Sequence, residues 1–155
     1  RRLNGQAGQP VLILIGAGKL EPSMRHFVQE QGLANSVRIL GPRPQSELVR
    51  WMNSADCLVL SSAFEGMPRV VVEALRCGLP VVATDAGEVP RLLQDARAGR
   101  LVRERTPEAV GAAIAKVLHQ APDREACTRS VEPFTAAKVL ADVYASYRAL
   151  AERGR

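Results

Sequence analysis

Aromatic residues make up only 4% of this 155-residue chain, so aliphatic side chains must fill its core. That excludes an aromatic-rich β-sandwich and favours a sheet covered by helices. Long hydrophobic runs are missing too. Val11–Ile15 and Leu79–Ala83 are strand-sized and fall far short of the ~20 residues that cross a bilayer. The opening stretch, residues 1–10, is polar and glycine-containing and holds no signal-peptide core. Cysteine is sparse, odd in number and widely spaced, at Cys57, Cys77 and Cys127. This argues against a disulfide framework or a zinc cluster and for free thiols in a reducing, cytosolic compartment. The two histidines, His26 and His119, read as surface residues, and no metal site is expected. The net charge of +5 comes from scattered arginines without a basic block interleaved with aromatics. Nucleic acid is therefore not an expected partner, whereas a phosphate-bearing small ligand or an anionic membrane surface is compatible.

What is present is an alternation of short β-rich runs and helix-like segments. Val11–Ile15, Val37–Leu40, Cys57–Leu60, Leu79–Ala83 and Arg100–Val102 read as strands. Helices are expected from about Pro22 to Gly32, after a Ser46 cap, over Arg69–Arg76 with Pro68 as first residue, near Pro90–Gln94, and from Thr106 to His119. Two more, about Asp123–Val131 and Ala136–Glu152, close the chain. Met24, Phe27 and Val28 share one face of the first helix, and Phe27 and Trp51 are expected in the core. Continuous apolar strands each followed by a helix predict a Rossmann-like parallel sheet with helices on both faces, in one α/β domain over 1–155. Ligands of such sheets bind beyond the carboxyl ends of the strands. Three loops fall there: Gly16–Glu21, Ser61–Arg69 and Thr84–Pro90.

The middle loop carries the clearest chemistry. Glu65 lies in it, and Glu73 follows eight positions on, in the helix. Eight helical positions make a little over two turns, which predicts both carboxylates on one cleft. Gly66 permits close backbone approach to a ligand, and the helix start near Arg69 suits an anionic phosphate. Taken alone, Glu73 reads as a surface residue paired with Arg69 or Arg76, and Glu65 as an acid favouring the helix dipole. Gly16-Ala17-Gly18-Lys19 lacks the spacing of a dinucleotide loop, and Leu20 stands where a P-loop needs Ser or Thr. It reads as a tight turn.

An ordered set of segments carries a more specific signal. Leu14-Ile15-Gly16-Ala17-Gly18 is followed by Val37-Arg38-Ile39-Leu40-Gly41, then by Ser54-Ala55-Asp56-Cys57-Leu58-Val59-Leu60-Ser61-Ser62. Phe64-Glu65-Gly66-Met67-Pro68 with Glu73-Ala74 comes next, then Gly78-Leu79-Pro80-Val81-Val82-Ala83-Thr84-Asp85. Across residues 11–150 this resembles the C-terminal, donor-binding domain of the family-4 retaining glycosyltransferases, which have the two-domain GT-B fold. The resemblance implies a nucleoside-diphosphate sugar as donor substrate and no metal or other cofactor. It implies that Glu73 accepts hydrogen bonds from the ribose hydroxyls and that Glu65 contacts the donor sugar as the catalytic carboxylate. It places Gly66, Met67, Pro68 and Arg69 beside sugar and diphosphate, Gly16 and Gly18 in the first loop, and Arg43 and Gln45 near the base.

The departures from the family pattern shape the expectations further. The family's first strand–helix unit, with an arginine and a lysine on the diphosphate, should lie upstream of Leu3, as should the acceptor-binding N-terminal domain. Gly87 is followed by Glu88, and Arg91 stands where the family has an acid. The chain is therefore expected to bind donor without transferring sugar alone, as part of a cytoplasmic enzyme of glycan synthesis at or near the inner membrane face. Its terminal helix, about 136–155, should cross back toward the N-terminal domain and leave its apolar stripe exposed. The alternatives are a standalone nucleotide- or sugar-binding module and a sugar-nucleotide epimerase of GT-B architecture. A small oxidoreductase is disfavoured, because no ribose-binding acid follows the second strand.

Overall fold

Short aliphatic runs form five strands, with a helix after each. The computed structural model describes residues 10–153. The elements run β1 Leu12–Leu14, α1 Glu21–Glu30, β2 Val37–Ile39, α2 Gln45–Ser54, β3 Leu58–Leu60, α3 Arg69–Arg76 and β4 Val81–Thr84. There follow α4 Val89–Leu92, β5 Gly99–Val102, α5 Pro107–His119, α6 Arg124–Ser130, a 3-10 turn Glu132–Phe134 and α7 Ala136–Arg153. β1 pairs with β2, β3 with β4 and β4 with β5, all in parallel. Parallel neighbours need a crossover, and the intervening helices supply it. This is the α/β class the alternation predicts.

The described strands pair as β1-β2 and as β3-β4-β5. The chain divides into two compact units between Trp51 and Met52. That boundary falls inside α2, where no proline-, glycine- or serine-rich linker could announce it.

The first unit holds two three-residue strands, α1 and most of α2. Strands lie about 4.8 Å apart, so a two-stranded sheet is no wider than one helix. It offers too little surface for both apolar faces. Phe27 is 57% exposed and Trp51 37%, so neither is the core residue expected. Met24 is exposed as well. Ser46 caps nothing; it lies inside α2, which begins at Gln45.

In the second unit, β4 is buried throughout, because it is the central strand and helices cover both faces. Side chains alternate along it. Val81 and Ala83 join Val71, Ala74 and Leu75 of α3, Val89 and Leu92 of α4, and Cys127 of α6. Val82 faces the other way, toward Val102 and Val117 of α5. Burying each of the fully enclosed leucines Leu75 and Leu92 stabilises the fold by about 1.5–3 kcal/mol. Thr106 caps α5 by accepting the amide of Ala109, and Asp123 caps α6 by accepting that of Ala126. Pro68 stands just before α3, one residue earlier than a first helical position, and its carbonyl accepts the amides of Val71 and Val72.

α7 has no buried residue. Val139, Leu140, Val143, Tyr144, Tyr147 and Leu150, its apolar stripe, are all exposed. Among the described residues, no helix is long and apolar enough to cross a membrane.

Candidate functional site

β3 delivers the segment Ser61–Pro68 at its carboxyl end, and two neighbouring loops hold that segment. The hydroxyl of Thr84 donates to the Ser62 carbonyl at 2.6 Å. Arg105 donates from Nη1 to the Ala63 carbonyl at 3.1 Å. The Glu88 amide donates to the Gly66 carbonyl at 2.9 Å. Thr84 is the one buried polar residue among those described, and a buried hydroxyl needs such a partner. Gly87, at φ +53°, presses against the same segment. A Cβ there would stand 2.7 Å from the Glu65 carbonyl carbon and collide with the oxygens of Glu65 and Gly66. Only glycine fits.

Within this frame Glu65 is half-buried, Phe64 is 92% exposed, and Pro68 is buried against the start of α3. Gly66, Met67 and Arg69 are exposed around them. The amides of Arg69 and Val70 begin α3 ahead of any carbonyl the helix itself offers.

Glu73 lies on α3 opposite Val71, Ala74 and Leu75, which face the core. Its Oε1 stands 3.6 Å from Nη2 of Arg69, one helical turn away. The ion pair that spacing alone suggests is thus formed. It is lopsided, because the Glu73 side chain is 28% exposed and that of Arg69 87%. An exposed pair of this kind contributes about 0–1 kcal/mol, so the sheltered carboxylate remains able to exchange its partner for a ligand hydroxyl.

The remaining candidates belong to the first unit, at the carboxyl ends of β1 and β2. The Gly16 amide donates to the Gly41 carbonyl at 3.0 Å, joining the two loops, and the Glu21 amide donates to Gly18. Arg43 lies 3.7 Å from Glu47 in an ion pair. Gln45 opens α2 and is exposed.

Arg91, the departure from the family's acid, is engaged elsewhere. Its guanidinium donates to Glu88 at 2.6 Å and sits 5.5 Å from the ring centroid of Phe134. It also lines a cleft of about 330 Å³ with Gln94, Asp95, Arg129 and Phe134, to which none of Glu65–Arg69 and Glu73 contributes. Among the described residues no group of three or more acids, histidines or cysteines could hold a metal ion. Burial pushes the Cys57 and Cys127 thiols up to about 11, so neither is an activated nucleophile.

Sequence reasoning marked the Thr84–Pro90 loop but gave no role to Thr84 or Gly87, and it passed over Arg105. A threonine closing an otherwise apolar strand was a usable signal. Nothing local distinguishes Arg105 from the other scattered arginines.

Parallel strands joined by helical crossovers match the α/β architecture of solved GT-B glycosyltransferases. HepE of Anabaena, solved with UDP, superposes with a TM-score of 0.74 at 24% identity, over 90% of this chain and 41% of that one. Sucrose-phosphate synthase of Thermosynechococcus elongatus superposes with a TM-score of 0.72 at 23% identity, over 90% of this chain and 39% of that one. The sequence profile of the glycosyl transferases group 1 matches residues 1–132, and the chain belongs to that family. The amylovoran biosynthesis glycosyltransferase AmsK of Erwinia amylovora is 31% identical over 160 residues, spanning 98% of this chain and 38% of its own length. A D-inositol 3-phosphate glycosyltransferase of Corynebacterium urealyticum is 31% identical over 94% of this chain and 37% of its own length. The chain thus spans less than two fifths of these curated relatives.

Proposed function

We propose that this chain is the C-terminal, donor-binding domain of a retaining family-4 glycosyltransferase that moves a hexosyl group from a nucleoside-diphosphate sugar to an acceptor. The observation that carries the reading is the Ser61–Pro68 segment, fixed from below at Ser62, Ala63 and Gly66, with Glu65 in it and Glu73 sheltered on the helix that follows. The relationship to HepE, also solved with UDP-glucose and 25% identical with a TM-score of 0.71, supports a nucleotide-sugar donor.

In this reading Glu73 exchanges Arg69 for the ribose hydroxyls, and Glu65 binds hydroxyls of the sugar. The bond from the anomeric carbon to the diphosphate oxygen breaks as that carbon bonds to the acceptor's hydroxyl oxygen, whose proton leaves with the nucleoside diphosphate. Amides at the start of α3 then stabilise the negative charge that gathers on the departing nucleoside diphosphate. Those donors and Arg69 meet the diphosphate without a metal. The acceptor is held by a separate N-terminal domain, so these 155 residues bind donor weakly and transfer nothing alone, because nothing positions the attacking hydroxyl. The free thiols and the basic surface suit an enzyme working at the cytoplasmic face of a membrane.

Titration calorimetry with uridine, guanosine and adenosine diphosphates, on the wild type and Glu73→Ala, tests the reading. A charged hydrogen bond contributes roughly 1.5–3 kcal/mol, so Glu73→Ala should weaken the preferred nucleotide by about 10- to 150-fold. Equal affinity in the two proteins removes Glu73 from the site. Sugar transfer by the purified chain refutes the half-enzyme reading.

A further inference from the structure

The grip on the Ser61–Pro68 segment comes from residues outside the donor site as described, and it is aimed. Thr84 is the last residue of β4, one step beyond the final β3–β4 pair of Leu60 with Ala83. From there its hydroxyl reaches the Ser62 carbonyl. Arg105, in the loop between β5 and α5, takes the next carbonyl, that of Ala63. Gly87 lies against the carbonyls of Glu65 and Gly66, and the adjoining Glu88 amide bonds to the second of them.

A trans peptide is planar, and its N–H points opposite to its C=O. Fixing the carbonyls of Ser62, Ala63 and Gly66 therefore fixes the amides of Ala63, Phe64 and Met67, directed away from the β4 and β5 loops. Glu65 lies between the anchored Ala63–Phe64 and Gly66–Met67 peptides and its own carbonyl packs against Gly87, which limits how far its backbone can carry the carboxylate. The contact at Gly87 requires a residue without a Cβ, and the contact at Thr84 requires a hydroxyl in a buried place.

We infer that Thr84 and Gly87, assisted by Arg105, are positioning residues that set where Glu65 stands, and so set how much affinity the sugar adds to that of the nucleoside diphosphate. The inference rests on the donor-site reading above. Glu73, on α3, does not depend on this grip. Binding of the nucleoside diphosphate and recognition of the sugar are thus separable.

The test uses Thr84→Val, Thr84→Ser, Arg105→Gln and Gly87→Ala with two readouts. Backbone ¹⁵N order parameters report the rigidity of residues 63–66. Calorimetry compares a nucleoside diphosphate with its nucleotide sugar. Thr84→Val and Arg105→Gln should lower the order parameters of 63–66 while leaving those of β4 unchanged. Losing a neutral hydrogen bond corresponds to roughly a 2- to 10-fold effect, so the sugar's increment in affinity should shrink by about that much in Thr84→Val and by at least as much in Arg105→Gln, while nucleoside diphosphate affinity stays the same. Thr84→Ser keeps the hydroxyl and should restore both readouts. Gly87→Ala should have the largest effect, and should it prevent folding, the other variants still decide. Unchanged loop order and an unchanged sugar increment in Thr84→Val and Arg105→Gln overturn the inference. Loosened loops in those variants, in a chain whose wild type binds no nucleotide, uphold the positioning and overturn the donor-site reading instead.

Discussion

Arg91 stacks over Phe134 at 5.5 Å while donating to Glu88 at 2.6 Å, tying α4 to the turn that precedes α7. An exposed cation–π contact contributes about 0.5–1 kcal/mol. Arg91→Glu, which installs the family's usual acid, loses that contact and sets a like charge beside Glu88. We expect it to destabilise the chain by about 1 kcal/mol in urea titration. Arg91→Lys should recover part of the loss. Unchanged midpoints in both variants would show that the stack contributes nothing.

The two helix caps should be the most sensitive polar positions on the surface of the second unit. Asp123 accepts the Ala126 amide at 2.9 Å, and Thr106 accepts that of Ala109 at 3.2 Å. Asp123→Ala and Thr106→Ala should each cost about 1 kcal/mol in the same titration, whereas Asp123→Asn and Thr106→Ser should cost little.

Burial raises the Cys57 and Cys127 thiols from 9.0 to about 11. The folded chain therefore holds these protons more tightly than the unfolded chain. Their contribution is fully present below pH 9 and is lost as pH rises through 11. Stability should fall across that window, and Cys57→Ala with Cys127→Ala should flatten the fall. Iodoacetamide at pH 8 should label both thiols far more slowly in the native protein than in urea. A flat stability profile from pH 9 to 11 would refute the assignment.

The apolar stripe of α7 is exposed at every position, and exposed patches of this kind drive association. Light scattering should show mass rising with concentration, and Leu140→Glu with Tyr147→Glu should return the chain to a monomer. A wild-type chain that stays monomeric throughout would refute this.

Much of the fold was legible because period and punctuation agreed. Glycine or proline closes several of the apolar runs, as at Gly16 and Gly41, and Thr106-Pro107-Glu108 spells out a helix start that the structure reproduces. Other features were legible only through relatives. Glu65 and Glu73 look ordinary by composition, and the roles proposed for them come from the order of motifs around them. The break inside α2 and the exposure of Phe27 and Trp51 were illegible, because periodicity shows that a face is apolar and not what covers it. Thr84, Gly87 and Arg105 act on carbonyls more than 17 residues distant in sequence, so no local pattern could announce them.

The alternation along β4 also bears on which changes in length the gene can tolerate. Val81 and Ala83 sit in one half of the core and Val82 in the other, while Thr84 shares the face of Val82. Inserting or deleting one codon within β4 would exchange these faces. It would seat Val82 where Ala83 now fits and turn the Thr84 hydroxyl away from Ser62 in the same stroke. A two-codon change would keep the faces but shift Thr84 beyond the reach of its carbonyl. Reading frame alone does not protect this strand. Length variation is therefore expected to collect in exposed loops such as the one after α5, and to spare the nine positions from Pro80 to Glu88.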